Sequence, residues 1–155
     1  MNYKAILFYL GLFIFPLTGF SLLNILYSTY FDYFLSIESY TINFFFTLIA
    51  GSFLCFYGKN SLKKISFYEQ LVLIILVYLV SSFFISLPYY LSNYQITFID
   101  SIFESFSGLT STGFSIFENI KYLDPTLILW RSSSQWIGGL YFLIFLIIIF
   151  SNNQY

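Results

Sequence analysis

The stretch FIDSIFESFSGLTSTGFS, residues 98–115, decides the fold of this chain. Residues 98–109 carry Asp100 and Glu104, and they are too few to cross a bilayer, which takes about 20 apolar residues in a helix. Their apolar positions fall close to an i, i+3, i+4 pattern and predict one face of a short helix. Those positions are Phe98, Ile99, Ile102, Phe103 and Phe106. Small residues follow the predicted helix in residues 107–115.

Long apolar segments lie on both sides of this stretch. Residues 71–91 precede it without a charge, and residues 127–150 follow it with Arg131 near their start. Two more apolar segments occupy residues 5–27 and 41–57, so the pattern predicts four spanning helices. The first segment has a rival interpretation as a signal peptide that begins at Lys4, although no small-x-small cleavage site follows it cleanly.

A short helix between two spanning helices has two interpretations. It is either a re-entrant pore loop or an amphipathic helix on the outer surface, with SGLTSTG (residues 107–113) as its exit turn. The pattern by itself favours neither.

Composition places the chain in a membrane and excludes several functions. Hydrophobic residues make up 59% of it and charged residues 8%, against about a quarter charged in soluble domains. The lipid bilayer is therefore the predicted environment, and the net charge of -1 argues against nucleic acid as a partner. The absence of His removes His-based metal sites and His-dependent catalysis, and no Ser–Lys pair is suggestively placed, so the chain is predicted not to be an enzyme.

The charges alternate in sign with the predicted spans. Four of the six basic residues precede the first span or separate the second from the third: Lys4, Lys59, Lys63 and Lys64. Six of the seven acidic residues fall in the other intervals: Asp32, Glu38, Asp100, Glu104, Glu118 and Asp124. Because basic residues gather on the cytoplasmic side, the N-terminus and residues 59–66 are predicted to be cytoplasmic, and residues 98–109 to face outward.

The small residues after the short helix suit an ion pathway. A cation that crosses a membrane sheds water, and rings of backbone carbonyls can replace its hydration shell. Such a backbone needs conformations that glycine adopts cheaply, which makes Gly113 a candidate for a positive φ. Thr110, Ser111 and Thr112 carry small hydroxyl side chains that can stabilise a loop backbone. The C-terminal end of the helix also favours a cation just beyond it.

Two longer motifs carry a resemblance to a known family. They are FESFSGLTSTG at residues 103–113 and LWRSSSQWIGG at residues 129–139. With YEQLVLIILVYLV (68–80) and SLPYYL (86–91) upstream, they resemble the first repeat of the Trk/Ktr/HKT potassium transporters. That family also begins with two extra helices, which match residues 5–57. The resemblance favours the pore loop over the surface helix.

The resemblance implies an all-α membrane protein with two leading transmembrane helices followed by one helix–pore loop–helix repeat. The expected divisions are residues 1–58 for the leading helices, 59–66 for a basic loop, 67–150 for the repeat and 151–155 for a polar tail. The implied activity is potassium uptake across the cell inner membrane, with K⁺ as the transported ion and no cofactor. The implied filter strand, whose backbone carbonyls would bind K⁺, is Thr110, Ser111, Thr112, Gly113 and Phe114; Ser111 stands where threonine is common.

In the family, four repeats surround one pore. One repeat cannot enclose a pore, so the expected partners are further repeats from another chain or copies of this one. The family's nucleotide regulation belongs to a separate cytosolic ring-forming subunit, which is a candidate partner here. The alternative is a truncated or structural membrane protein without transport activity of its own.

Several single residues also give expectations. Arg131 near the outer end of the last span needs a partner, and Glu104 is the candidate for a structural ion pair; snorkelling to the interface is the rival interpretation. Glu104 and Asp100 could attract cations or could cap and orient the short helix. Gly138 and Gly139 are expected to allow close helix packing.

Overall fold

The structure is a computed structural model that describes residues 2–33, 36–59 and 65–151. Across these ranges the chain forms α-helices and one short 3-10 turn, without a β-strand. The helices are α1 (Tyr3–Tyr30), α2 (Ile37–Gly58), α3 (Phe67–Tyr90), α4 (Phe98–Leu109) and α5 (Pro125–Ser151), with the 3-10 turn at Ile120–Tyr122. The predicted all-α class is confirmed.

Four helices, α1, α2, α3 and α5, are long and apolar enough to cross a membrane. Each matches one of the predicted apolar segments to within about one turn at its end and begins up to about one turn earlier. At the starts of α3 and α5, polar side chains cap the helix and account for the earlier beginning. The backbone N–H of Ser66 donates to the Glu69 carboxylate at 2.7 Å where α3 begins. At the start of α5, the Asp124 carboxylate accepts from the backbone N–H of Thr126 at 2.8 Å.

Helices α1 and α2 form a closely packed antiparallel pair. A Cβ added at Gly58 would overlap the carbonyl oxygen of Lys4, so glycine lets the two backbones meet there. Nearer the other end of the pair, the Asn43 amide donates to the Ser21 hydroxyl at 2.9 Å. Small residues and an interhelical hydrogen bond thus join two helices that are both largely apolar.

Helix α5 is fixed to α3 and α1 by buried aromatic residues. Trp130 is 1% exposed, and its indole N–H donates to the Ile85 carbonyl at 3.1 Å. About three turns further along α5, the Tyr141 hydroxyl donates to the Phe13 carbonyl. These contacts set the position of Arg131, which directly follows Trp130.

The start of α1, the end of α2 and the start of α3 lie together at one end of the molecule. The Asn2 backbone N–H donates to the Glu69 carboxylate, and the Lys4 ammonium lies 5.7 Å from the centre of the Tyr57 ring. Lys59 follows α2 at this end, whereas Lys63 and Lys64 of the predicted basic loop lie outside the described residues. So do residues 152–155 of the predicted polar tail. Helix α4 and the start of α5 lie at the opposite end.

Candidate functional site

Helix α4 spans the predicted residues, but it buries its polar face and turns its apolar face outward. It packs against α3 and α5. The buried residues are polar or small apart from the last one: Ser101, Glu104, Ser105, Ser107, Gly108 and Leu109. Phe98, Ile99 and Phe103, from the predicted apolar face, are 45%, 79% and 48% exposed. A helix on a soluble protein does the reverse, so the outward face of α4 suits lipid or further protein.

Side chains cap the start of α4. The backbone N–H of Asp100 donates to the Thr97 hydroxyl at 3.2 Å, and that hydroxyl donates to the Asp100 carboxylate at 2.6 Å. Asp100 was expected either to attract cations or to cap the short helix, and these hydrogen bonds place it in the helix cap.

After α4 the chain turns and then runs as an exposed segment, residues 110–114, which we term the candidate filter strand. The turn is closed by the backbone N–H of Ser111, which donates to the Gly108 carbonyl at 2.9 Å. The φ angle is +79° at Gly113, as expected, and +55° at Ser111. Serine rarely adopts a positive φ. Two residues with a positive φ on either side of Thr112 therefore make this backbone unusual.

Hydroxyl groups hold the candidate filter strand against the last turn of α4. The Ser107 hydroxyl donates to the Phe114 carbonyl at 2.6 Å, and the Thr112 hydroxyl donates to the Ser107 carbonyl at 3.2 Å. The Thr110 hydroxyl donates to the Phe106 carbonyl at 2.7 Å. Ser107 was not predicted as a site residue, although its position on the polar face of α4 is a signal that could have identified it.

Behind the strand, Glu104 and Arg131 form a buried ion pair between α4 and α5. Glu104 is 0% exposed and Arg131 is 7% exposed. The Glu104 carboxylate also accepts from the Ser115 hydroxyl at 3.2 Å and from the Ile116 backbone N–H at 3.1 Å. The structure therefore brings the two predicted partners together, with hydrogen bonds that satisfy a buried carboxylate. Ser115 is a second residue that the sequence did not single out.

The Arg131 guanidinium contacts the strand directly. Its Nη2 donates to the carbonyl oxygens of Gly113 and Phe114, both at 3.1 Å, and its Nη1 donates to the Ser115 hydroxyl at 3.0 Å. In the described part of the chain, no hydrogen bond ends on the carbonyl oxygens of Thr110, Ser111 or Thr112. Two of the five carbonyls predicted to bind potassium, those of Gly113 and Phe114, are therefore bonded to Arg131, and the other three accept no hydrogen bond in the described part of the chain.

Glycine brings α4 and α5 into close contact. A Cβ at Gly138 would overlap the Leu109 carbonyl, and a Cβ at Gly108 would overlap the Ser134 hydroxyl. At Gly139 an added Cβ would meet no described atom within 4 Å, so the described part of the chain shows close helix packing at Gly138 but not at Gly139. This residue instead borders a recess of about 490 Å³ below the strand. The recess is lined by Tyr78, Leu109, Thr110, Ser111, Gly138, Gly139 and Phe142.

Among the described residues, no group of three or more His, Cys, Asp or Glu side chains is arranged to hold a metal ion. The oxygens that the candidate filter strand offers are those of its own backbone and hydroxyl groups. Oxygen atoms without a full negative charge suit a weakly bound monovalent cation better than a tightly held divalent one.

Comparison with known proteins identifies related sequences over most of the chain. The family model for the cation transport protein TrkH matches residues 36–152. The uncharacterized cation transporter MJ1485 of Methanocaldococcus jannaschii is 31% identical over 130 residues, which cover 81% of this chain and 26% of the relative.

Two bacterial relatives are also similar. The Trk system potassium uptake protein TrkH of Escherichia coli K12 is 30% identical over 104 residues, 66% of this chain and 22% of that protein. The Trk system potassium uptake protein TrkI of Halomonas elongata is 38% identical over 73 residues, 47% of this chain and 15% of that protein. The chain spans about a quarter or less of the length of these relatives.

Proposed function

The chain belongs to the TrkH family of cation transport proteins, and on that premise we propose that it helps to carry potassium ions across a membrane. The relatives named as potassium uptake proteins support potassium as the ion. Potassium is the cargo of this activity, and the proposal includes no resident cofactor. The family consists of transporters, and the proposed chemistry is the passage of an ion.

The observation that carries the proposal is the exposed candidate filter strand with two positive φ angles. All five of its residues are exposed, and they are tied to α4 by hydroxyl groups and to α5 by Arg131. An ion that leaves water needs oxygen ligands, and an irregular backbone can supply consecutive carbonyls. The proposed potassium ligands are carbonyl oxygens of Thr110, Ser111, Thr112, Gly113 and Phe114.

Helix α4 supports the same assignment electrostatically. Its C-terminal end carries partial negative charge and leads directly into Thr110. Acting as a pore helix, α4 would stabilise a cation beyond its end without placing a full negative charge on the ion path. That arrangement favours passage, because an ion must also be able to leave.

Further protein is proposed to complete the pore. Non-helical backbone at membrane depth is tolerated only where it is buried in protein or lines water. The candidate filter strand is exposed, and so is the apolar face of α4. The remaining walls are proposed to be further repeats, supplied by more of the same polypeptide, by another chain or by copies of this one.

The proposed location is the cell inner membrane, with the N-terminus in the cytoplasm. Lys4 and Lys59 lie at the same end, and basic residues favour the cytoplasmic side. Lipid then surrounds the exposed apolar faces of the spanning helices. A cytosolic nucleotide-binding regulatory subunit, implied by the family resemblance, would approach from the end that carries these lysines.

The test compares Gly113→Ser with Gly19→Ser in cells that lack their own potassium uptake and produce the complete transporter. A side chain at Gly113 strains a backbone with φ +79°, whereas one at Gly19 on α1 meets no described atom within 4 Å and lies outside the recess beside the strand. The expected result is a fall of about tenfold in the ratio of K⁺ to Na⁺ uptake for Gly113→Ser alone, in line with the cost of a strained residue. An unchanged ratio, with both variants at normal levels in the membrane, would refute the filter assignment.

A further inference from the structure

We propose that Lys4 and Lys59 bind the headgroup of an anionic phospholipid where α1 begins and α2 ends. The two ammonium groups bind the lipid phosphate, and the exposed apolar face of α2 contacts the acyl chains. This site lies on the outer surface of the helix pair, at the end of the molecule opposite the candidate filter strand.

A close approach of two backbones brings the lysines together. Lys59 directly follows Gly58, and a Cβ added at Gly58 would overlap the Lys4 carbonyl oxygen. The two side chains therefore leave neighbouring points on α1 and α2. Positive charges in such a position repel each other, and an anion shared between them relieves the repulsion.

Aromatic rings hold both ammonium groups at the helix surface. The Lys4 nitrogen lies 5.7 Å from the centre of the Tyr57 ring, and the Lys59 nitrogen lies 4.5 Å from the centre of the Phe56 ring. Both distances are within the range of about 6 Å over which a cation is attracted to a ring face. Phe56 and Tyr57 are consecutive and exposed, so the charges lie beside an open apolar surface.

The protein itself does not neutralise these two charges. Among the described residues, neither lysine forms an ion pair with a carboxylate, and the pair of Glu104 and Arg131 lies at the other end. The carboxylate near the start of α1 is that of Glu69, which accepts from the backbone N–H groups of Asn2 and Ser66. Lys4 and Lys59 are thus available to an external anion.

The surroundings of the two lysines favour a lipid as the source of that anion. An exposed apolar face runs along α2 to Lys59 and is formed by Phe45, Phe46, Ile49, Phe53, Phe56 and Tyr57. Exposed tyrosines at this end, Tyr3 and Tyr68 among them, are typical of the boundary between lipid chains and water. Basic residues beside a spanning helix attract the anionic headgroups of the cytoplasmic leaflet. A phospholipid matches both the charge and the apolar face.

The deciding experiment measures the binding of phosphatidylglycerol to the purified complete transporter by native mass spectrometry. The variants are Lys4→Gln, Lys59→Gln and the two combined, and the control is Lys121→Gln. Lys121 is exposed in the 3-10 turn at the opposite end. We expect the Kd for phosphatidylglycerol to rise about fivefold for each of the two lysines removed. The control should keep the original Kd, and zwitterionic phosphatidylcholine should bind all variants equally. An unchanged Kd in the combined variant overturns the inference.

Two further measurements separate lipid binding from other causes. Lys4→Arg combined with Lys59→Arg keeps both charges and should bind phosphatidylglycerol as the original protein does; a loss as large as that of the glutamine variants overturns the inference. Inorganic phosphate at constant ionic strength should not displace the lipid, and displacement would show a site for free anions instead.

Two features of the design keep the result specific to this site. Lys63 and Lys64 stay in every variant, so their general attraction for anions is the same throughout. If the combined variant does not fold, Lys59→Gln alone decides, because Lys59 is exposed beyond the end of α2. The readout is lipid binding and not ion uptake, so the inference can fail while the proposed function holds, and the reverse.

Discussion

At Ser111 a serine adopts the left-handed backbone conformation that glycine adopts without cost. The φ angle of +55° costs a non-glycine residue about 1 kcal/mol or more. In return, the Ser111 hydroxyl donates to the Gln135 carbonyl at 3.3 Å, an exposed and long hydrogen bond that contributes little. The surrounding turn, rather than the residue itself, therefore imposes this conformation.

This strain predicts opposite effects for two substitutions. Ser111→Gly is expected to raise the free energy of unfolding by up to about 1 kcal/mol, because glycine relieves the strain. Ser111→Val is expected to lower it by about 1–2 kcal/mol, since a β-branched side chain fits a positive φ poorly. Thermal unfolding of the purified transporter in mild detergent measures both. Equal stability of the two variants would contradict the strained backbone.

The neighbourhood of Arg131 illustrates how far sequence reasoning reaches at a single residue. Glu104 could be identified as its partner, because a charge within a span needs an opposite charge and few acidic residues are near enough. The bonds to Gly113 and Phe114 could not be identified. Every residue has a carbonyl group, and sequence does not reveal which of them turns toward α5. The positive φ at Gly113 was predictable from residue type, whereas that at Ser111 was not.

At the scale of the helix, α4 begins and ends where the sequence predicted, yet its orientation was not predicted. Spacing shows which residues share a face of a helix, but it does not show which face is buried. In water the apolar face would be buried. Within a membrane protein the serines and Glu104 find hydrogen-bond partners against α3 and α5, and the phenylalanines can face lipid or protein at no cost.

The contact between α4 and α5 predicts different outcomes at two adjacent glycines. In Gly138→Ala the new methyl group overlaps the Leu109 carbonyl, so α4 and the candidate filter strand must shift. We expect the free energy of unfolding to fall by about 1–3 kcal/mol and potassium uptake to weaken. Gly139→Ala, which meets open space, is the matched control and should keep normal stability. Equal behaviour of the two variants in thermal unfolding and uptake would show that α4 does not pack against Gly138 as described.

On the scale of the whole molecule, the two ends of the helices differ in chemistry. Lys4, Lys59 and the start of α3 meet at one end, while α4, the candidate filter strand and Asp124 lie at the other. The order of the spanning helices and the distribution of the charges therefore indicate the same orientation in the bilayer. The sequence predicted this separation because it depends only on the order of spans and charges, which needs no knowledge of packing.

The orientation gives a prediction that a labelling experiment checks. In a Cys55→Ala background, single cysteines replace Lys59 and Asn119, both of which are exposed in the structure. With the N-terminus in the cytoplasm, an impermeant thiol reagent added to intact cells should label Cys at position 119 and leave position 59 unmodified. After permeabilisation both positions should react, which controls for accessibility, and the background protein should stay unlabelled. Labelling of position 59 but not of position 119 in intact cells would reverse the orientation. The candidate filter strand would then face the cytoplasm, and the ion would meet it only after crossing most of the membrane.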